Sequence, residues 1–297
     1  MAYHIEQVAN TNDKCGEAPT WDAANNRVLW VDNESSFVHA LSLDTGQVTR
    51  ISTGLMVSGV ALNTKGGYVF AGATGLHVWR GQDDYRTVIS EFAGESLYFN
   101  DILADPSGRV YAGTLYWGGN GMEKFGKLYL VKPDGSAEIV DEGIELSNGL
   151  GFSPDNRTLY YTDSFARRIY AYDVDTASGR LSNRRVFVQV PSDEGLPDGL
   201  TVDAEGFVWS AQWYGGQVVR YDPQGKVERR IAMPMMQVSS CLFGGPNLTD
   251  LYVTTAANSW EGPYAPPGYN FKAANIGGPL YRVRLDIQGK PDYAADL

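Results

Sequence analysis

Short apolar runs rich in β-branched and aromatic residues recur along this chain, each set off by polar turn residues. Six of them follow one template. A polar opener starts it, a brief apolar run follows, a turn begins five residues after the opener, and a second strand-like run completes it. The openers are Glu17, Ser58, Asn100, Asn148, Asp198 and Ser239, and the turns begin at Asp22, Asn63, Asp105, Ser153, Asp203 and Gly244. The runs after the turns read RVLWVD, GYVFAG, RVYAGT, TLYYTD, FVWSAQ and DLYVTT. Successive openers stand 41, 42, 48, 50 and 41 residues apart. A strand-built period of roughly 40–50 residues predicts a propeller with one four-stranded blade per repeat. Radial repetition brings equivalent positions to one axis, so the six openers are expected to ring the mouth of a central channel.

Outer strands are expected at HALSLD, VTRIST, LHVWR, KLYLVK, RIYAYDVD, VVRYD and YRVRL, joined by DTG, PDG, DTASG and DPQG turns. Alternation in RIYAYDV and GQVVRYD suits strands with one buried face, and no stretch carries a sustained helical stripe. The last repeat is short of strands, since the chain ends within a few residues of Asp286 in this reading. The segment YHIEQVA (3–9) belongs to no other blade, so it is expected to pair with the last one and close the ring, which removes two open sheet edges. The prediction is an all-β, six-bladed β-propeller closed by the N-terminal strand, a single domain over 1–297. Two Gly- or Pro-rich excursions, 116–126 and 258–278, follow the second strand of their repeats and read as rim loops on the face of the openers.

Composition narrows the function. A net charge of −11 argues against nucleic acid and against anionic membrane surfaces. The two cysteines, Cys15 and Cys241, are too few for a disulfide scaffold and are expected to be buried free thiols. No apolar segment suggests a signal peptide or a membrane span, so the cytoplasm is the expected location. With only His4, His39 and His77, none of them an opener, a His-based triad or His-rich zinc site is not expected.

The openers themselves carry the chemistry. Glu17 and Asp198 bring two carboxylates and Asn148 an amide oxygen to one axis, with Asn100, Ser58 and Ser239 as neutral neighbours. Carboxylates converging without partners repel and lose hydration. A divalent cation relieves both, and oxygen-only donors suit a hard one such as Ca²⁺, Mg²⁺ or Mn²⁺. The same residues would also line a wet channel without any ligand.

The segments GEAPTWD, FNDILADPSGRVYAGT, SNGLGFSPDNRTLYYTDS, YDVDTASGRLSNRRVF, PDGLTVDAEGFVWSA and SSCLFGG resemble the gluconolactonase, regucalcin (senescence marker protein) and luciferin-regenerating enzyme family, in order and spacing from about residue 13 to 285. The resemblance implies a six-bladed propeller with one axial divalent metal, Ca²⁺ first with Zn²⁺, Mg²⁺, Mn²⁺ or Fe²⁺ as alternatives, and no organic cofactor. It implies that Glu17, Asn148 and Asp198 are the metal ligands. Asp198 would also be the catalytic base, and Asn100 would touch substrate or a metal-bound water. The implied activity is hydrolysis of a lactone, with a small-molecule lactone as partner.

Some positions depart from the family pattern. Tyr98 stands where an anchoring Arg is common, and Tyr116 and Trp117 stand where acidic residues are frequent; Trp213 and Tyr214 follow the equivalent strand of the fifth repeat. If these face the pocket, the substrate is less polar than a polyol lactone. Two rival readings remain: an organophosphate hydrolase using the same metal, and a calcium- or ligand-binding propeller without turnover.

Overall fold

The computed structural model describes residues 3–81, 84–118, 121–258 and 260–297. Six four-stranded antiparallel sheets succeed one another along the chain. Their innermost strands are Gly16–Asp22, Gly59–Leu62, Phe99–Ala104, Ser147–Phe152, Leu196–Val202 and Val238–Gly244. Each touches the next, and the last returns to the first, so the six enclose one axis. The N-terminal strand His4–Ala9 pairs antiparallel with Leu280–Arg284 and becomes the outer strand of the sixth blade. Helix is confined, among the described residues, to one 3-10 turn at Ala23–Asn25. No helix there is long and apolar enough to cross a membrane.

The constant offset from opener to turn has a physical cause. In three blades the turn begins with a buried aspartate that holds the turn and the next strand together. Asp105 accepts from the Ser107 and Arg109 amides and pairs with Arg109 at 2.6 Å; Asp203 accepts from Glu205 and Phe207 and pairs with Arg220 at 2.7 Å. Asp22 pairs with Arg27 at 2.8 Å. Such Asx-type turns fix strand register from one side chain. At the opposite ends of the blades Asp32 and Asp163 accept backbone N–H groups just ahead of the inner strands, at Lys14 and Cys15 and at Glu145 and Leu146. The core is correspondingly a ring of inter-blade clusters rather than one centre.

The end of the chain departs from expectation. Residues 286–297 do not trail off after the last strand but run as a strap across the far mouth of the channel. Gly289 N–H donates to Leu248 O, Ala204 N–H to Gln288 O, Ala295 N–H to Leu62 O and Asp296 N–H to Gly108 O. Asn63 clamps Leu297 in both directions, and Tyr293 Oη donates to Asn156 Oδ1 at 3.0 Å. A strap of turn-like composition has no strand or helix period, which is why the pattern did not reveal it.

Removal of residues 1–9 uncovers the outer edge of Leu280–Arg284. The expected outcome is a single, cooperative unfolding transition shifted down by about 5 °C, the size that about 2 kcal/mol produces in a domain of this length. Differential scanning calorimetry checks it, and an unshifted transition contradicts ring closure by this strand.

Candidate functional site

Five of the six openers sit where the inner strands lose their regular pairing, the exception being Ser58. Register shifts fall between Glu17 and Thr20, Phe99 and Ile102, Ser147 and Leu150, Pro197 and Leu200, and Val238 and Ser240. A bulge turns a side chain out of the pleat, here toward the axis. At the first one Ala18 takes a left-handed backbone (φ 45°) beside Glu17. Glycines follow three of the openers, and after two of them the neighbouring strand lies too close for a side chain: a Cβ on Gly149 would stand 2.2 Å from Leu200 N, and one on Gly199 2.0 Å from Ser240 Oγ.

Four of the six openers line one cavity of about 240 Å³: Glu17, Asn100, Asn148 and Asp198. The two serines do not. Ser58 Oγ donates to Phe99 O at 2.7 Å, and Ser239 Oγ to Gly16 O at 2.5 Å, so each ties its inner strand to the next blade. A short hydroxyl that can reach a buried carbonyl satisfies it and is unavailable to the channel.

Hydrogen bonds orient the two amides. Asn100 Nδ2 donates to Ser147 O at 2.7 Å and to Asn148 Oδ1 at 3.1 Å. Asn148 Nδ2 donates to Ser164 Oγ at 2.9 Å. Both amino groups are thus engaged; the Asn100 oxygen is left for cavity chemistry, and the Asn148 oxygen, already accepting from Asn100, keeps its second lone pair for it. Glu17 accepts only from the Ala18 amide, at 3.3 Å. Asp198 is 4% exposed, yet its Oδ1 has no hydrogen-bond partner among the described residues.

A third carboxylate belongs to this centre. Asp101 lines the channel directly beneath the cavity and acts electrostatically on both Glu17 and Asp198. Its position carried a signal. The residue after the opener is small in five repeats (Ala18, Gly59, Gly149, Gly199 and Ser240), and the exception is Asp101. Burial raises its carboxyl to about 6. Burial, then the charge of Asp101, pushes Glu17 up to about 8. Asp198 is raised well above the usual range by burial and then by Glu17 and Asp101.

This donor set fits a divalent cation. It combines two carboxylates with no cationic partner, an orphaned buried oxygen on Asp198 and an amide oxygen on Asn148 aligned from behind. Among the described residues no three His, Cys, Asp or Glu side chains alone form a metal cluster, so a cation held here would need the amide oxygen as well.

The remaining expected residues divide. Trp117 and Trp213 line the cavity. Tyr98 and Tyr116 are not among its lining residues: Tyr116 lies under the Lys124 ammonium, 3.8 Å from ring centre to Nζ, and Tyr98 is half-buried near Cys15. Tyr214 is buried behind the wall, donating to Trp260 O at 2.6 Å. Cys241 is buried as expected, but Cys15 is partly exposed and faces the cavity. Phe165, Trp260 and Glu34 also line it. The two rim loops do rise on this face, although Gly119, Asn120 and Ser259 lie outside the described residues.

Residues 15–257 match the family described as the SMP-30/Gluconolactonase/LRE-like region. The chain belongs to this family. Within the SMP-30/gluconolactonase family it is 35% identical over 293 residues to a pentonolactonase of Haloferax volcanii, covering 99% of this chain and 98% of that one. It is 35% identical over 296 residues to regucalcin of Homo sapiens, covering 98% and 97%. A calcium-binding protein, regucalcin, from Agrobacterium tumefaciens superposes with a TM-score of 0.88 at 25% identity, covering 100% of this chain and 99% of that one.

The raised carboxyls set a pH dependence. A carboxyl whose folded pKa exceeds its unfolded value stabilises the fold fully below the unfolded value, near pH 4, and the contribution is lost as pH rises through the folded one. For Glu17 that upper limit is about 8. Metal-free protein is therefore expected to melt at falling temperature from about pH 5 to 8, relative to Asp198→Asn in the same buffers. Added Ca²⁺ is expected to raise the midpoint more at pH 8, where fewer protons compete. Scanning fluorimetry with chelator reads this; parallel profiles for the two proteins contradict it.

Proposed function

We propose that this chain is a divalent-metal-dependent lactone hydrolase whose cation is held by Glu17, Asn148 and Asp198. The observation that carries the reading is Asp198, a buried carboxylate with an uncommitted oxygen, set against a second carboxylate at the floor of a cavity of about 240 Å³. The pentonolactonase relative supports the reaction class, and the calcium-binding neighbour supports the cation.

The bound cation supplies Lewis acidity toward the lactone carbonyl and the oxyanion that forms from it. Asp198 accepts the proton of the attacking water as the water oxygen bonds to the carbonyl carbon. The ring oxygen then leaves, takes a proton and becomes the hydroxyl of the product acid. Asn100, with its amino group fixed by Ser147 O and Asn148, orients water or substrate through its oxygen. Ser164 keeps Asn148 turned the right way by accepting from its amino group. Asp101 adds negative charge below the centre and strengthens the demand for a cation.

The reading predicts acid release from a lactone panel, monitored with a pH indicator, that stops on exhaustive chelation and returns with Ca²⁺, Mn²⁺ or Zn²⁺. Full turnover after chelation, with metal absent by elemental analysis, contradicts it. Turnover of a phosphotriester with none on lactones selects the organophosphate reading, and binding of Ca²⁺ with neither activity selects the non-catalytic one.

Asp198→Asn keeps an oxygen and the volume but removes the base and one charge. At saturating metal its kcat is expected to fall at least about 10²-fold, the scale of lost general-base catalysis. Asn148→Ala is expected to weaken metal binding instead, so that excess metal partly restores its rate. A fully occupied Asp198→Asn with near-normal kcat makes Asp198 a ligand alone.

A further inference from the structure

The cavity has two unlike walls. One is polar and comes from the first blade, with Cys15, Asn33 and Glu34 beside Glu17. The other is apolar and is assembled from loops of later blades: Leu115, Trp117, Phe165, Leu196, Trp213 and Trp260. Trp117, Phe165 and Trp260 form one aromatic cluster, with ring centres 5.3 Å (Trp117–Phe165), 5.2 Å (Trp117–Trp260) and 5.5 Å (Phe165–Trp260) apart.

This wall is held in place from behind. Tyr264, on the loop that carries Trp260, stacks flat on Phe165 with ring centres 4.0 Å apart. The Arg167 guanidinium donates to Tyr264 O at 2.6 Å, and to Pro191 O, Glu194 O and Gly195 O at 3.0–3.2 Å. One side chain therefore ties the loop following the sixth blade's middle strand to the fourth and fifth blades. A wall so fastened is ready before ligand arrives.

The polar wall can accept from a substrate's hydroxyls, but the apolar wall offers them no partner. Among the described residues no Lys, Arg or His lines the cavity. The amino groups of Asn100 and Asn148 are already committed, and Glu34 accepts from Asn258. Hydroxyls carried against Trp117 and Phe165 would lose water and gain no partner. An anionic arm would meet no cationic side chain. An alkyl or aryl arm would instead displace water from both surfaces, and Trp117, still 38% exposed, has face left to cover.

We infer that the substrate is a lactone bearing an apolar alkyl or aryl arm that lies against Trp117, Phe165 and Trp260, with Trp117 a specificity-determining residue. The inference rests on the lactonase reading above and deepens it.

The test is kcat/KM of the metal-loaded protein for δ-valerolactone, δ-nonalactone, γ-phenyl-γ-butyrolactone, glucono-δ-lactone and xylonolactone. The two arm-bearing lactones are expected to exceed unsubstituted valerolactone and both sugar lactones by at least about tenfold. In Trp117→Ala the nonalactone-to-valerolactone ratio is expected to fall toward one, chiefly through KM, while Trp117→Phe keeps most of it. Preference for a sugar lactone, or a ratio that Trp117→Ala leaves unmoved, overturns the inference and leaves the lactonase reading standing. Turnover of no lactone at all overturns both.

Discussion

Three carboxylates that cannot all be charged without help sit at the axis of this molecule. Glu17, Asp198 and Asp101 approach one another where the inner strands converge; among the described residues no lysine or arginine lines the cavity that holds Glu17 and Asp198, and Lys290 lines the channel below with Asp101. Burial raises all three carboxyls, and neighbouring negative charge raises Glu17 and Asp198 further, so in the bare protein the conflict is eased by holding protons. A divalent cation resolves it the other way, by balancing the charge and taking the uncommitted oxygens. On the proposed reading, the same arrangement that destabilises the anionic apo site would create affinity for metal.

Everything around the axis serves to keep that conflict in place. Bulges turn the openers inward, and glycines after Asn148 and Asp198 let adjacent strands approach closely enough to hold the donors. Ser58 and Ser239 bind one blade to the next, while Asp105 and Asp203 lock the turns at the far end. Radial symmetry supplies the floor of the site, but its walls are asymmetric. The departures from the repeat, the loops carrying Trp117 and Trp260, are where one face of the cavity becomes aromatic.

The repeat made the architecture readable, because period and turn chemistry are local properties of the chain. The ring closure by residues 3–9 was readable too, since the last blade lacked a strand. Side-chain destinations were less so. Ser58 and Ser239 occupy opener positions yet turn to carbonyls of the next blade, a choice made by tertiary neighbours hundreds of residues away in one case. Asp101 was overlooked although it interrupts a run of small residues after the openers. Tyr116 and Trp117 are adjacent in the connection after Val110–Thr114, yet Trp117 lines the cavity and Tyr116 lies under Lys124. Phe165 and Trp260 reach the cavity from loops with no period at all, and the strap over 286–297 has none either.

The central claim is that a cation replaces protons on the axial carboxylates. Calorimetric titration of Ca²⁺ into chelated protein at pH 7, repeated in buffers of different ionisation enthalpy, counts the protons released as metal binds. One bound ion and release on the order of one proton per ion are expected, as deprotonation of ligands requires, with less release in Asp198→Asn. Binding without proton release, or no binding to the folded protein, would contradict it.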